Sequence, residues 1–227
     1  IQTMDTDSGT VYYDGSEVDL TLSNFQTFYD LSFAVTGTLE ISSAITVEND
    51  LTMISGTVNQ TADIQTKDFE IQSGTFKSYT NTSFTVEEDF IITSGTFDRF
   101  QSGDGTSSSP YEIIDVYGLQ SIISDLDAYY ELANDIDAQT TSNWTSGFEP
   151  IGDSTNNFEG DFEGNYYEID NLYMSRASQD NVGLFGYTSD VAVIENIGLT
   201  NVDIEGQGNV GALVGYNQAS ITYAYAA

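Results

Sequence analysis

The sequence predicts an all-β protein in which parallel strands stack into a β-solenoid, and three observations carry that prediction. A nine-residue pattern, Asp, apolar, any, apolar, any, Ser, Gly, Thr, apolar, occurs without insertion at 50–58, 68–76 and 89–97. The Gly-Thr pairs from Gly37 onward are separated by 19, 18 and 21 residues, close to the length of one β-solenoid coil, and self-similarity at such a period marks a repeat architecture. Within each copy the apolar residues alternate, as in Leu51 and Met53, Phe69 and Ile71, and Phe90 and Ile92. Period two is the signature of a strand with one face inward.

In chain order, Ser8-Gly9-Thr10-Val11 reads as the tail of a first unit, and Asp30 opens a copy with one extra residue that ends at Thr36-Gly37-Thr38-Leu39. The three regular copies follow. In each, Ser-Gly-Thr supplies a corner, because glycine accepts the positive φ that a sharp bend needs. The next residue, Val58, Phe76 or Phe97, turns back into the core. The repeated Asp50, Asp68 and Asp89 read as bend residues bonded to their own backbone, with a metal-binding ladder as the alternative. The Thr at 38, 57, 75 and 96 reads as a corner residue, with a flat hydroxyl array facing ice or sugar as the remote alternative.

Composition shifts at Gln101 to Pro110, Gln-Ser-Gly-Asp-Gly-Thr-Ser-Ser-Ser-Pro, which marks the internal boundary between a 1–102 region and a 103–227 region. The second is expected to continue the stack of the first. Leu119, Ile122, Ile123 and Leu126 then fall at i, i+3, i+4 and i+7 behind a capping Asp115, so one short amphipathic helix is expected near 115–126.

Beyond the boundary the order of motifs is specific. Gly103-Asp104-Gly105-Thr106 and Pro110-Tyr111-Glu112-Ile113 precede the helix. Tyr129-Tyr130-Glu131-Leu132, Asn134-Asp135-Ile136-Asp137, Pro150-Ile151-Gly152 and the segment from Phe158 to Asn165 follow it. Val182-Gly183-Leu184-Phe185-Gly186-Tyr187 and Asn209-Val210-Gly211-Ala212-Leu213-Val214-Gly215-Tyr216 close the series. Residues 103–227 in this order resemble the GLUG-motif region of bacterial and archaeal surface proteins, including adhesins of the filamentous haemagglutinin type. The resemblance implies a right-handed parallel β-helix displayed outside the cell, with Gly183, Gly186, Gly211 and Gly215 letting coils turn and pack closely. No capping element is visible around Tyr223-Ala224-Tyr225-Ala226, and an uncapped end exposes unpaired backbone groups, so this face is expected to meet either more chain or another subunit. Tyr216, Tyr223 and Tyr225 are candidate contact residues there, since tyrosine is favoured at interfaces.

Charge narrows the function. The chain has 36 acidic and four basic residues, a formal net charge of −32, yet 39% of it is hydrophobic, with 15 Tyr and 13 Phe. That share is too rich for a disordered polyanion. The acids therefore form a solvated skin over an ordered core, and the skin excludes nucleic acid and anionic membranes as partners. No stretch of about 18 apolar residues is present to span a bilayer. The absence of cysteine leaves the redox compartment unread. No leader precedes Ile1, which fits a processed exported chain as well as a cytosolic one. The sequons at Asn59, Asn81 and Asn143 are candidate glycosylation sites.

Catalysis is not expected. The chain has no His and no Cys, so a β-helical polysaccharide lyase or hydrolase would depend on carboxylates and two lysines. The acid pairs Asp135 with Asp137, and Glu159 and Asp161 with Glu163, have the alternate spacing that puts carboxylates on one strand face; calcium is the one cofactor they suggest. The leading functional expectation is a structural or adhesive extracellular protein at the cell surface, either an adhesin rod or a subunit that self-associates into a filament. A carbohydrate-binding module is the alternative, using an exposed Trp144 to stack on glycans.

Overall fold

A computed structural model describes residues 8–15, 18–20 and 26–227. Strands dominate them and one short α-helix is present, so the protein is all-β. Two compact units divide the chain, Ile1–Arg99 and Phe100–Ala227. Every pairing between the strands is parallel in both.

The first unit is a ten-stranded parallel sheet running from Thr10–Tyr13 to Thr96–Asp98. The repeats pair in the register their sequences demand. Leu31 lies opposite Leu51, Leu51 opposite Phe69, and Phe69 opposite Phe90, so the expected file of Leu51, Phe69 and Phe90 is present. Leu39, Val58, Phe76 and Phe97 make a second file, all 0% exposed. Aligning identical side chains lets rings stack: Phe69 on Phe90 at 5.4 Å and 20°, and Phe76 on Phe97 at 6.0 Å and 15°. Phe69 also meets Phe76 and Phe84 edge-on at 5.0 and 5.1 Å, geometries that favour the aromatic quadrupole.

The Ser-Gly-Thr corners superpose as well. Gly56, Gly74 and Gly95 have φ of 85°, 87° and 92°. A Cβ at Gly74 would lie 2.5 Å from the Gly56 carbonyl oxygen, and one at Gly95 2.5 Å from that of Gly74. Gly37 is not in this conformation. The extra residue of its repeat appears as register irregularities around Ala34, so this copy reaches the same files by a different bend.

The second unit holds a five-stranded, a four-stranded and two two-stranded parallel sheets. Its files run Tyr111, Tyr130, Phe162, Ile194, Ile221 and Ile136, Ile169, Leu199, Ala226. The helix is shorter than the 115–126 expectation. Val116–Ser121 is α-helical and passes into a 3-10 turn at Ile122–Ser124. Asp115 caps it as expected, accepting from the Gly118 amide at 2.9 Å.

Asparagine joins glycine in turning the chain here: Gly103, Gly105, Gly147 and Gly152 have positive φ, and so do six asparagines. Asn165, Asn171, Asn181, Asn196, Asn201 and Asn209 all have φ between 50° and 60°. Gly183, Gly186, Gly211 and Gly215 are absent from the positive-φ residues, although Gly183 lies in a bend. Their role is close approach: a Cβ at Gly183 would meet the Gly211 oxygen at 2.5 Å.

Candidate functional site

Three surface features follow from the in-register alignment. The first is the unpaired edge of the second unit. Strands Asp203–Val210, Val214–Tyr216, Ser220–Thr222 and Tyr225–Ala226 each pair on one side only among the described residues. Ile204, Val214 and Ile221 are half-buried, although their register partners Met174, Phe185 and Ile194 are 0% exposed. Such an edge offers both apolar surface and free backbone donors and acceptors.

The three tyrosines expected at this edge do different things. Tyr216 stacks on Tyr187 at 4.5 Å and 16°, and burial together with Tyr216 pushes the Tyr187 hydroxyl pKa up. Tyr225 donates to the Glu168 carboxylate, which raises its own pKa, and its ring lies over Gly198, where a Cβ would be 2.5 Å from Tyr225 Cζ. Tyr223 is 79% exposed with φ of 52°. It takes the register position of Asn196, one residue past the Glu195–Thr222 pair, and so holds a bulky side chain in a conformation that suits asparagine.

The second feature is a set of carboxylate files. In the first unit Asp50 lies opposite Asp68, in a groove of about 330 Å3 shared with Glu70, Glu88 and Asp89. Two aspartates at this position of the repeat, Asp30 and Asp68, bond beyond their own bend. They reach across to the neighbouring repeat: Asp30 Oδ1 accepts from the Asp50 amide at 3.2 Å, and Asp68 Oδ1 from the Asp89 amide at 2.9 Å. Desolvation, then Asp30 and Asp68, push the Asp50 pKa up. In the second unit Glu112, Glu131, Glu163 and Glu195 stand in register. Asn165 donates to Glu131 at 3.3 Å, Asn196 to Glu163 at 2.9 Å and Thr222 to Glu195 at 3.2 Å. The asparagines that turn the chain therefore also supply donors to a row of like charges, which would otherwise be destabilising.

The calcium candidates are not brought together. Asp135 accepts from the Glu168 amide, Asp137 from the Gln139 amide and Asn171, Glu159 from Asn157, and Glu163 from the Asn165 amide and Asn196. Asp161 faces Val193 in the sheet, its pKa raised by desolvation and Glu195. Among the described residues no group of three His, Cys, Asp or Glu is arranged to hold a metal. The Thr38, Thr57, Thr75 and Thr96 file is in register.

Trp144 corrects its expectation: it is 3% exposed, stacked on Phe148 at 6.4 Å and 16°, so no sugar reaches its face. Its polar neighbours in sequence hid a burial that the Phe148 four residues later signals. The bases are also engaged. Lys67 bridges Asp68 and Glu88, Lys77 pairs with Asp98, and Arg176 with Glu149. Arg99 is buried, donating to Ser78 at 2.7 Å above the Phe84 ring. No described helix is long and apolar enough to cross a membrane.

The third feature is the set of sequons. Asn81 and Asn143 are exposed, whereas Asn59 is partly buried in strand Ile45–Gln60.

Comparison with known proteins places the chain beside segments of much longer ones. It is 35% identical over 164 residues, 66% of its length, to halomucin of Haloquadratum walsbyi, covering 2% of that protein. It is 34% identical over 128 residues, 54% of its length, to a protein of Evansella cellulosilytica bearing the name Gly-rich membrane protein, covering 15% of it. No family model and no solved structure matches.

Proposed function

We propose that the chain is a structural segment of a cell-surface protein, built as a right-handed parallel β-helix of the GLUG-motif kind in which each repeat forms one coil. The observation that carries this reading is the register. Equivalent residues of successive repeats lie opposite one another in every file, always in parallel. Parallel neighbours joined by segments of about 20 to 30 residues are what coiling produces, and each coil then covers the next. The likeness to halomucin and to a membrane protein supports a location at the cell surface. The small fraction of each relative that is matched supports a rod segment of a large protein over a free filament subunit.

The function is mechanical. Ladder bonds satisfy the backbone along the stack, and the acidic skin keeps neighbouring rods apart. The edge bearing Ile204, Val214 and Ile221 receives a further coil of the same register, so the isolated 227-residue chain self-associates through it. No catalytic role is assigned. Protease shaving of intact source cells tests the location: release of peptides from this chain is expected, and its retention inside the cell would overturn the reading. Electron microscopy of the parent protein separates the two forms, with discrete rods expected and regular fibres pointing to a filament. Light scattering of the isolated chain tests the edge, and a stable monomer would refute self-association.

A further inference from the structure

The sequon at Asn81 differs from the other two in its setting. Tyr79 to Thr82 form a tight turn, closed by the Thr82 amide donating to the Tyr79 carbonyl at 3.0 Å and by the Thr82 hydroxyl donating to the same oxygen at 2.7 Å. Asn81 is exposed at this turn. No hydrogen bond among the described residues engages its side chain. Ser83, which supplies the sequon hydroxyl, is also exposed, and its backbone is held by Asp63 and Gln60. Two residues before the acceptor stands Tyr79, 46% exposed, so an aromatic face and an acceptor amide occupy one four-residue turn.

The other sequons lack this combination. The Asn59 amide donates to Glu40 and its Oδ1 is buried, between Glu40 and Lys77 in the sheet. Asn143 ends a 3-10 helix, and its middle residue Trp144 is 3% exposed, which pins the backbone to the core.

We propose that Asn81 is an N-glycosylation site and that the Tyr79 ring is the platform for the first sugar. The proposal rests on the cell-surface reading, since the donor acts on exported chains. The donor class is an oligosaccharide linked through phosphate to a lipid. A bond forms between Asn81 Nδ2 and the anomeric carbon, the bond from that carbon to the phosphate oxygen breaks, the phosphate leaves with the electron pair, and Nδ2 gives up one proton. The C–H face of the sugar then packs on the exposed ring, as apolar groups pack on aromatic faces.

The composition makes the test clean. Trypsin cuts after Lys67, Lys77, Arg99 and Arg176, which places Asn59 in the peptide that ends at Lys67, Asn81 in 78–99 and Asn143 in 100–176. Protein from the surface fraction of its source cells is digested and each peptide weighed. Peptide 78–99 is expected to carry a glycan mass that Ser83→Ala abolishes, with Asn59 bare. A surface-located protein with bare 78–99 overturns the proposal, whereas a protein confined within the cell overturns the location. An added mass that survives Ser83→Ala marks a different modification and also refutes it. For the platform, Tyr79→Ala is compared with and without the Ser83→Ala substitution alongside it. A larger fall in Tm is expected where Ser83 is kept and the sugar is present, and equal falls refute the contact.

Discussion

Replacing Gly74 by alanine tests the stacked corner directly. At φ of 87° an L-residue is strained by about 1–2 kcal/mol. Its Cβ would also sit 2.5 Å from the Gly56 oxygen, 2.9 Å from the Gly56 nitrogen and 3.0 Å from Met53 Cε. Two of these are backbone atoms of the neighbouring corner, where a Cβ at Gly56 would in turn meet the Val35 carbonyl oxygen at 2.3 Å. The overlap therefore cannot be relieved by one side chain turning away. Strain and displacement together are expected to cost about 3 kcal/mol, or a fall in Tm of about 6–12 °C for a chain of this size. Gly208→Ala is the control, because its φ is not positive and its Cβ would meet only the Asp180 carboxylate. Thermal melts followed by circular dichroism at fixed salt read both variants. A Gly74→Ala protein melting within about 2 °C of the parent would refute the superposed corners.

Other outcomes follow from the same geometry. Phe69→Ala removes a ring that is 1% exposed and packed against four others, and urea unfolding is expected to show a loss of about 3–5 kcal/mol. Tyr223→Asn relieves the strained corner and is expected to stabilise by about 1 kcal/mol, measured the same way. The Asp50 pKa is raised, so its contribution favours folding below the ordinary carboxylate value and is lost as pH rises through the shifted one; Asp50→Asn should therefore raise Tm at neutral pH and low salt, with the gain shrinking as salt is added. Calcium added to metal-stripped protein is expected to shift Tm no more than magnesium does, and a calcium-specific rise would restore the paired acids as ligands.

The first unit was largely legible because its files are made of repeated residue types. Asp, Leu or Phe, and Ser-Gly-Thr recur at fixed spacing, and the parallel register follows from burying them together. The helix cap at Asp115 was legible for the same local reason. The asparagine corners were not, since asparagine is common in any polar loop and reveals a left-handed turn only when its register partners are known. Polar neighbours in sequence concealed the burial of Trp144, and its own charge that of Arg99: one is drawn in by Tyr117 and Phe148, the other by the file Gln60, Ser78, Arg99. Among the calcium candidates, Asp135 accepts from a backbone amide of the neighbouring repeat, and Asp137 and Glu163 from asparagine side chains there, a use that leaves no trace in spacing.

Between the two repeats that follow Thr57, the difference in length is confined to bends. From Thr57 to Thr75 the step is 18 residues, and from Thr75 to Thr96 it is 21. Two of the three added residues fall between Ser78 and Phe84 and one between Val86 and Phe90, as comparison with Gln60 to Ile64 and Thr66 to Phe69 shows. Strands thus act as a ruler and bends as slack. A gene encoding such repeats can therefore gain or lose a few codons in a bend while every paired position keeps its interior partner.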